Sequence, residues 1–125
     1  MNLRFTSPEH RQYFATMVSG DKPTDAIYYL LGADDTLRNN ISDVLVDGEL
    51  RKNAFRDSWQ TSTSKKYYAL ALNLLYDLTY PEAEPARLWA ETSDEVAEVL
   101  FEAIDIYRGK GGYDQNMVFC NWLND

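Results

Sequence analysis

Apolar residues recur along much of the chain at spacings of three and four, the period of an amphipathic α-helix. The first such stretch begins at Ser7-Pro8-Glu9, which supplies an N-cap, a proline at the first helical position and an early carboxylate. Its apolar positions are His10, Tyr13, Phe14, Met17 and Val18. The pattern predicts a first helix that ends near Gly20.

Two more helices are predicted next. Residues 26–31 form a continuous apolar run between Thr24, a candidate cap, and Gly32. Because no partner strand is evident, we interpret this run as a helix rather than as a buried strand. Asp34 then opens a third helix, and Asp47-Gly48 supplies the turn after it. The apolar positions of the third helix are Leu37, Ile41, Val44 and Leu45.

The hydrophobic pattern breaks down between Gly48 and Ser64. The anchors there are Leu50, Phe55 and Trp59, set among mixed charges and hydroxyl groups. We predict an ordered connector with no more than one helical turn. The following residues, 63–79, predict a long helix that is apolar on most sides, and such a helix belongs in the middle of a bundle.

A last helix is predicted over residues 92–108, after Pro81 and Pro85 break the chain. Thr92 and Glu95 have the T-x-x-E spacing of a capping box, and Gly109 marks the end of the helix. The predicted core stripe is Val96, Val99, Leu100, Ala103, Ile104 and Tyr107.

These elements predict an all-α fold: a single compact bundle of about five helices, with an ordered connector before the central helix. We expect residues 1–125 to form one domain, because a chain of this length buries about two-thirds of its unfolded surface. Helix 63–79 is expected at the centre, with helix 92–108 packed against it. The apolar tail, residues 117–123, is expected to dock on the bundle.

Charge is distributed very unevenly along the chain. The net charge of −8 lies entirely in residues 77–105, where nine carboxylates accompany a single base, Arg87. Acids and bases balance in the remainder of the chain. The protein is therefore expected to present one concentrated anionic face on a neutral body.

The carboxylates of the last predicted helix recur at steps of four and three, which places them on one solvent-facing side. No Lys or Arg occurs between Glu91 and Arg108 to pair with them. We call this set the acidic strip; it consists of Glu91, Glu95, Glu98, Glu102 and Asp105. Two interpretations remain open: a solvated face that keeps the protein soluble, or a docking surface for a protein with a basic surface.

A run of hydroxyl residues precedes the long predicted helix and suggests an alternative site. Free backbone N–H groups at a helix start favour an anion, and lysines follow directly. The candidate ligand-binding residues are His10, Trp59, Gln60, Thr61, Ser62, Thr63, Ser64 and Lys65, with Lys66, Tyr28, Tyr29 and Tyr67 around them. The competing interpretation is that one hydroxyl caps the helix, the others solvate the turn, and Trp59 packs as an anchor.

No catalytic or metal-binding set is predicted. The only histidine, His10, lies on an apolar helical stripe at a helix N-terminus, a position typical of a neutral core histidine. With one His and one Cys, a conventional zinc site is excluded, and no calcium-loop spacing occurs. Direct nucleic-acid binding is disfavoured because a protein with a pI near 4.5 would be repelled by phosphates.

Several segments, spread over most of the chain, form a combination typical of one protein family. They are Phe5, Glu9-His10, Tyr13-Phe14, Ala26-Ile27-Tyr28-Tyr29-Leu30-Leu31, Trp59-Gln60-Thr61-Ser62-Thr63-Ser64, Ala71-Leu72-Asn73-Leu74 and Leu100-Phe101-Glu102-Ala103-Ile104. Together they resemble a family of small proteins of unknown function from Gram-positive bacteria and their mobile elements, and the most specific element of this resemblance is the Trp-Gln-Thr-Ser run. The resemblance implies a bacterial or phage setting, in which small acidic proteins often block or regulate other proteins.

We therefore predict a non-enzymatic acidic interaction protein that binds and inhibits or modulates another protein. The expected partner is a host protein that handles nucleic acid and has a basic surface, which would make this chain a phage or mobile-element counter-defence factor of the anti-CRISPR type. The alternative is a small-ligand-binding protein or small enzyme that holds an anionic metabolite or nucleotide at the start of the long helix.

The expected setting is the cytoplasm. The start of the chain has no apolar segment typical of a signal peptide, the longest apolar run is six residues, and the lone Cys120 cannot form an internal disulfide. We expect a monomer or homodimer without cofactor, without direct nucleic-acid contact and without membrane contact.

Overall fold

The computed structural model describes residues 3–80 and 84–109, and this part of the chain is mostly α-helical, as predicted. Its helices are α1 (Pro8–Met17), α2 (Lys22–Gly32), α3 (Asp35–Asn39), α4 (Ile41–Val44), α5 (Ser62–Tyr76), α6 (Pro85–Glu91) and α7 (Asp94–Tyr107). A short antiparallel hairpin, β1 (Leu45–Val46) with β2 (Glu49–Leu50), and a 3₁₀ turn, Lys52–Arg56, lie between α4 and α5. None of these helices is both long and apolar enough to cross a membrane.

Helix α2 is the central element of the fold. It contacts α1, α3, α5 and α7, and its apolar run from the sequence is buried except for the half-buried Tyr28. The prediction that helix 63–79 is central is therefore wrong, as is the packing of the last helix upon it: α7 lies mainly on α2. Helix α5 is not the central helix because its C-terminal end faces solvent, where Leu75 is 43% exposed.

The ends of α2 and α3 differ from the predicted ones. Asp21, not Thr24, caps α2, because its carboxylate accepts the backbone N–H of Thr24 at 3.1 Å. Asp34 caps α3 as predicted, with its carboxylate accepting the Leu37 N–H. The predicted third helix is interrupted at Asn40, whose backbone is not helical, so that α3 and α4 are separate short helices.

The turn predicted at Asp47-Gly48 is confirmed as the tip of the hairpin. Asp47 and Gly48 have φ angles of 54° and 80°, so both adopt the left-handed conformation that a tight two-residue hairpin turn of type I′ requires. The connector that follows contains one 3₁₀ turn, and it leads to Thr61, the N-cap of α5. Helix α5 ends at Tyr76, three residues before the predicted end near residue 79, and its C-cap, Asp77, has a φ angle of 58°.

Helix α6 was not predicted, and it changes the start of α7. Thr92 follows α6 as its C-cap, and Ser93 is the N-cap of α7, its hydroxyl accepting the Val96 N–H at 3.3 Å. The predicted capping box of Thr92 and Glu95 is therefore wrong. The Thr92 hydroxyl instead accepts a hydrogen bond from the Lys66 ammonium at 3.2 Å.

The apolar stripe of α7 is rotated slightly from the predicted one. Val99, Leu100 and Ala103 are buried as expected, and Ile106 is completely buried although the sequence pattern did not select it. Tyr107 is 37% exposed, and Val96 and Ile104 are half-buried. The predicted docking of residues 117–123, and Cys120 with it, lies outside the described residues.

Helices α1 and α2 approach each other closely at Gly32. A Cβ atom at this position would lie 2.6 Å from Cδ2 of Tyr13 and 3.2 Å from Cδ2 of His10. Such distances are shorter than van der Waals contact, so a glycine is needed for the two helices to pack at this separation.

Substitution of Ile106 should test the rotation of α7. Ile106→Ala removes fully buried methyl groups and should lower the free energy of unfolding by about 2–5 kcal/mol. The matched control is Ile104→Ala, which should cost clearly less because Ile104 is half-buried. Urea denaturation followed by circular dichroism measures both; a larger loss for Ile104→Ala would contradict this packing.

Candidate functional site

The acidic strip lies along α6 and α7 and is largely accessible. Glu91, Glu95 and Glu98 are exposed, whereas Glu102 and Asp105 are half-buried. Phe101, 51% exposed, stands three residues after Glu98 and four before Asp105, which places its ring on the same side of α7. The strip is therefore an acidic surface with an aromatic side chain among its carboxylates.

Two arginines neutralise part of this strip, whereas the sequence predicted carboxylates without cationic partners. The Arg4 guanidinium lies 3.0 Å from a carboxylate oxygen of Glu98, and the Arg4 backbone N–H donates to Glu102 at 3.0 Å. Arg87 pairs with Glu91 at 3.4 Å. Glu95 has no cationic partner within the described parts of the chain, so it contributes an uncompensated negative charge.

Arg4 reaches α7 because the segment before α1 is held in place by His10. The imidazole Nδ1 of His10 accepts the backbone N–H of Thr6 at 3.0 Å, and the other ring nitrogen lies 2.8 Å from the Tyr29 carbonyl oxygen. Since a backbone N–H can only donate, Nδ1 is unprotonated and Nε2–H donates to Tyr29. One neutral side chain therefore joins the N-terminal segment, α1 and α2.

Further contacts fix the same segment. The Thr6 hydroxyl donates to the Ala33 carbonyl at 2.9 Å, and the Tyr29 hydroxyl donates to the Arg4 carbonyl. Phe5 packs against the ring of His10 with centroids 5.1 Å apart. Burial lowers the pKa of His10 to about 4, so the imidazole is uncharged in the folded protein at neutral pH.

A cleft of about 500 Å³ opens between this N-terminal segment and α7, and we call it the Tyr67 cleft. Its apolar wall consists of Phe5, Ala33, Val96 and Val99. Its polar lining consists of Arg4, Thr6, Thr63, Tyr67, Ser93, Glu95 and Glu98. The cleft thus combines an apolar wall with two carboxylates of the acidic strip.

Tyr67 occupies the α5 side of this cleft. Only 4% of its surface is exposed, and its hydroxyl has no hydrogen-bond partner within residues 3–80 and 84–109. Burial, together with the nearby carboxylates of Asp34 and Glu95, raises the pKa of Tyr67 to about 12. The hydroxyl therefore stays neutral at physiological pH and is able to accept a hydrogen bond from a cation.

The predicted anion site at the start of α5 is largely occupied by the protein's own hydrogen bonds. Thr61 and Ser64 form a capping box, with each side chain accepting the other's backbone N–H at 3.0 and 2.8 Å. The Ser64 hydroxyl also donates to Gln60 at 2.6 Å, and Trp59 donates through its indole N–H to Asp57 at 3.2 Å. These residues shape the helix start and leave Ser62, Thr63 and the lysines at its surface.

A second, smaller groove of about 210 Å³ lies beside that helix start, and we call it the lysine groove. It is lined by Phe55, Ser62, Lys65, Lys66, Arg87, Leu88 and Glu91. The residues of the alternative site are therefore divided among three places: Tyr29 and His10 inside the core, Tyr67 in the Tyr67 cleft, and Lys65 with Lys66 in the lysine groove.

Sequence reasoning missed the role of Arg4 and the existence of the Tyr67 cleft. Both arise from contacts between residues nearly a hundred positions apart, such as Arg4 with Glu102, and no local pattern marks them. The exposure of Phe101 could have been predicted from the sequence, because its helical position falls between Glu98 and Asp105 on the polar side of the helix. Within the described ranges, no cluster of three potential metal-ligating side chains occurs.

Comparison with known proteins places the chain in a family without an assigned activity. A family model described as "Family of unknown function (DUF6075)" matches residues 1–118. No curated protein and no solved structure gives a match. The unknown-function family expected from the sequence is therefore confirmed.

The burial of neutral His10 should make stability depend on pH. Its pKa falls from an ordinary value of 6.5 to about 4 on folding, so below about 6.5 the unfolded chain binds a proton that the folded protein does not. Stability should decrease as the pH falls through this window, by about 2 kcal/mol near pH 5, and level off below about 4. Denaturant unfolding at a series of pH values measures the slope.

His10→Gln is the matched control, since it removes the titrating ring and keeps every carboxylate. The difference in stability between native protein and variant should change with pH only inside this window. The imidazole resonance of the folded protein, followed by NMR, gives the pKa directly; titration near 6.5 would contradict the assignment.

Proposed function

Since the chain belongs to DUF6075, a family of unknown function, we propose its function from the geometry of its surface: it is a non-enzymatic protein that docks on a basic protein partner through the acidic strip. The observation that carries this proposal is the accessible row of carboxylates on α7 with Phe101 among them. The partner's activity is blocked or modulated by this contact. The proposed setting is the cytoplasm of a bacterium that carries a phage or mobile element.

The distribution of charge supports a docking function. The entire net charge of −8 lies in residues 77–105, so the field of the protein is strongest on one side. Such a field orients a basic partner during approach and accelerates its association. Arg4 pairs with Glu98 and Arg87 pairs with Glu91. Glu95 and Asp105 have no cationic partner among the described residues.

Phe101 supports docking through a different physical effect. Hot spots in protein interfaces are commonly large side chains surrounded by polar groups that exclude water once the interface has formed. The ring of Phe101 is 51% exposed, and its neighbours on the helix are carboxylates. Burial of this ring supplies short-range affinity, while the carboxylates supply long-range attraction.

The chemistry of the strip supports a partner that handles nucleic acid. Sites that bind a phosphate backbone are lined with Lys and Arg, whose charges are paired with phosphates. A row of carboxylates pairs with the same cations and competes with the nucleic acid. We therefore propose inhibition by occupation of such a site, the mode of action of a counter-defence factor.

Charge reversal at the two ends of the strip tests the docking function. Glu91→Lys with Asp105→Lys changes the field without touching the Arg4 contacts or the Tyr67 cleft. A partner isolated from host lysate with the native protein should associate with this variant about tenfold more slowly at low salt. The difference should shrink as salt rises, because the Debye length falls to about 8 Å at physiological ionic strength.

The matched control is Asp43→Lys with Glu49→Lys, which makes the same change in net charge at exposed positions away from α7. Its association rate should fall much less. Equal association rates for the native protein and the Glu91→Lys/Asp105→Lys variant at low salt would contradict the docking function and favour a strip that only maintains solubility.

A second candidate function is the binding of an anionic metabolite or nucleotide in the lysine groove. The observation in its favour is the presence of three cations, Lys65, Lys66 and Arg87, beside the first turn of α5. Against it, Glu91 pairs with Arg87 in the same groove. Lys66 is also engaged by the hydroxyl of Thr92.

Thermal shift with inorganic phosphate and with ATP tests this second function. If the groove binds anions, the melting temperature should rise with ligand concentration, and Lys65→Gln with Arg87→Gln should abolish the rise. Lys52→Gln with Arg56→Gln removes the same charge outside the groove and is the control. An absence of any shift at millimolar ligand would contradict anion binding there.

A further inference from the structure

The Tyr67 cleft has a shape suited to a long side chain. Its volume of about 500 Å³ lies within the range of ordinary ligand sites, and it is open to solvent on one side. Phe5 and Val96 line it with apolar surface, and the N-terminal segment that supplies Phe5 is held rigidly by His10. A pre-formed cleft loses little entropy when a ligand enters.

The polar lining of the cleft includes hydrogen-bond acceptors on both α5 and α7. Glu95 supplies a carboxylate without a cationic partner in the described ranges, and the Tyr67 hydroxyl lacks any hydrogen bond there. Glu98 supplies a second carboxylate on the rim of the cleft, where it forms an ion pair with Arg4. Because the Tyr67 side chain lines the open cleft, its hydroxyl is available to accept a hydrogen bond from a bound donor.

We infer that the Tyr67 cleft receives an arginine side chain of the basic protein partner, with its guanidinium between Glu95 and the Tyr67 hydroxyl. This inference rests on the proposed docking function and names the chemical group that the partner inserts. The cleft opens beside the first turns of α7, so a partner that covers the acidic strip also covers its mouth.

Arginine fits this cleft better than lysine. The guanidinium carries five N–H donors in a planar fork, whereas the ammonium of lysine is a compact point charge. A planar fork has donors enough to reach the Glu95 carboxylate and the Tyr67 hydroxyl at the same time. The methylene groups of the arginine stem would lie along the apolar wall.

The ion pair between Arg4 and Glu98 shows how a guanidinium binds a carboxylate at the rim of the cleft. The Arg4 guanidinium lies 3.0 Å from Glu98, with both side chains more than half exposed. The proposed arginine would complete a row in which guanidinium groups and carboxylates alternate. Charge complementarity of this kind sets the register of an interface.

A pair of isosteric probes tests the cleft without any partner. N-acetyl-arginine amide carries the guanidinium, and N-acetyl-citrulline amide has the same shape without charge. Titration of the native protein followed by NMR should show saturable shifts of the Thr63, Tyr67 and Val96 amides with the arginine probe, and about tenfold weaker binding of the citrulline probe.

Two conservative variants identify the proposed contacts. Tyr67→Phe removes one hydroxyl, and Glu95→Gln removes one charge at constant shape; each should weaken binding of the arginine probe by about tenfold. Glu49→Gln is the control and should bind as the native protein does. Equal binding of both probes, unchanged binding by both variants, or tighter binding of the polyamine putrescine than of the arginine probe would overturn the inference.

Kinetics with the isolated partner separate this inference from the docking function. Tyr67→Phe should raise the dissociation rate about tenfold and leave the association rate unchanged, because a hydrogen bond acts only at contact. If the strip reversal slows association but Tyr67→Phe changes neither rate, the docking function stands and the cleft inference is wrong. If the strip reversal has no effect on association, the docking function itself is wrong.

Discussion

The pair of hydrogen bonds made by the His10 imidazole is the interaction on which the rest of the surface depends. It joins the Thr6 N–H to the Tyr29 carbonyl, and so it fixes the segment before α1 upon the central helix. Together with the Thr6–Ala33 and Tyr29–Arg4 hydrogen bonds, this bridge holds the Phe5 wall of the Tyr67 cleft in place and keeps Arg4 beside Glu98. The bridge requires an uncharged ring, because a protonated Nδ1 could not accept the Thr6 N–H. A residue with no contact to the acidic strip therefore helps to position Arg4, the cation that pairs with Glu98.

Charged side chains are few in the core around α2, where the buried Asp25 carboxylate accepts hydrogen bonds from Ser19 and Gly20, and many on the surface of α7. Around α2 the chain buries aromatic rings and a neutral histidine, and close packing at Gly32 leaves no room for an added methyl group. On α7 it gathers carboxylates on one side while Val99, Leu100 and Ala103 fill the other. The free energy of folding comes from the buried side, so the exposed side is free to carry charges that repel one another by a few tenths of a kcal/mol per pair.

Local patterns predicted the helical class, the Ser7 cap, the Asp47-Gly48 turn and most of the buried stripe of α7, because each depends on residues close in sequence. They also predicted that His10 is a core residue. They failed where a contact between distant residues decides the outcome. The centrality of α2 depends on what four other helices bury against it, and the neutralisation of the strip depends on Arg4 from the opposite end of the chain. The start of α7 was misplaced because Pro85 begins a short helix instead of simply ending one, which moved the cap to Ser93.

The hydrogen bond between Arg4 and Glu102 spans 98 positions of the sequence, and this span has a consequence for biosynthesis. Both walls of the Tyr67 cleft must be present before it exists: the segment before α1, and helix α7, which is synthesised later. Contacts of such long range form after the local ones, since closing a long loop costs more entropy than closing a short one. A chain still emerging from the ribosome has α1 and α2 available but lacks α7, so the Tyr67 cleft is not yet formed. The cleft forms only after α7 has been synthesised.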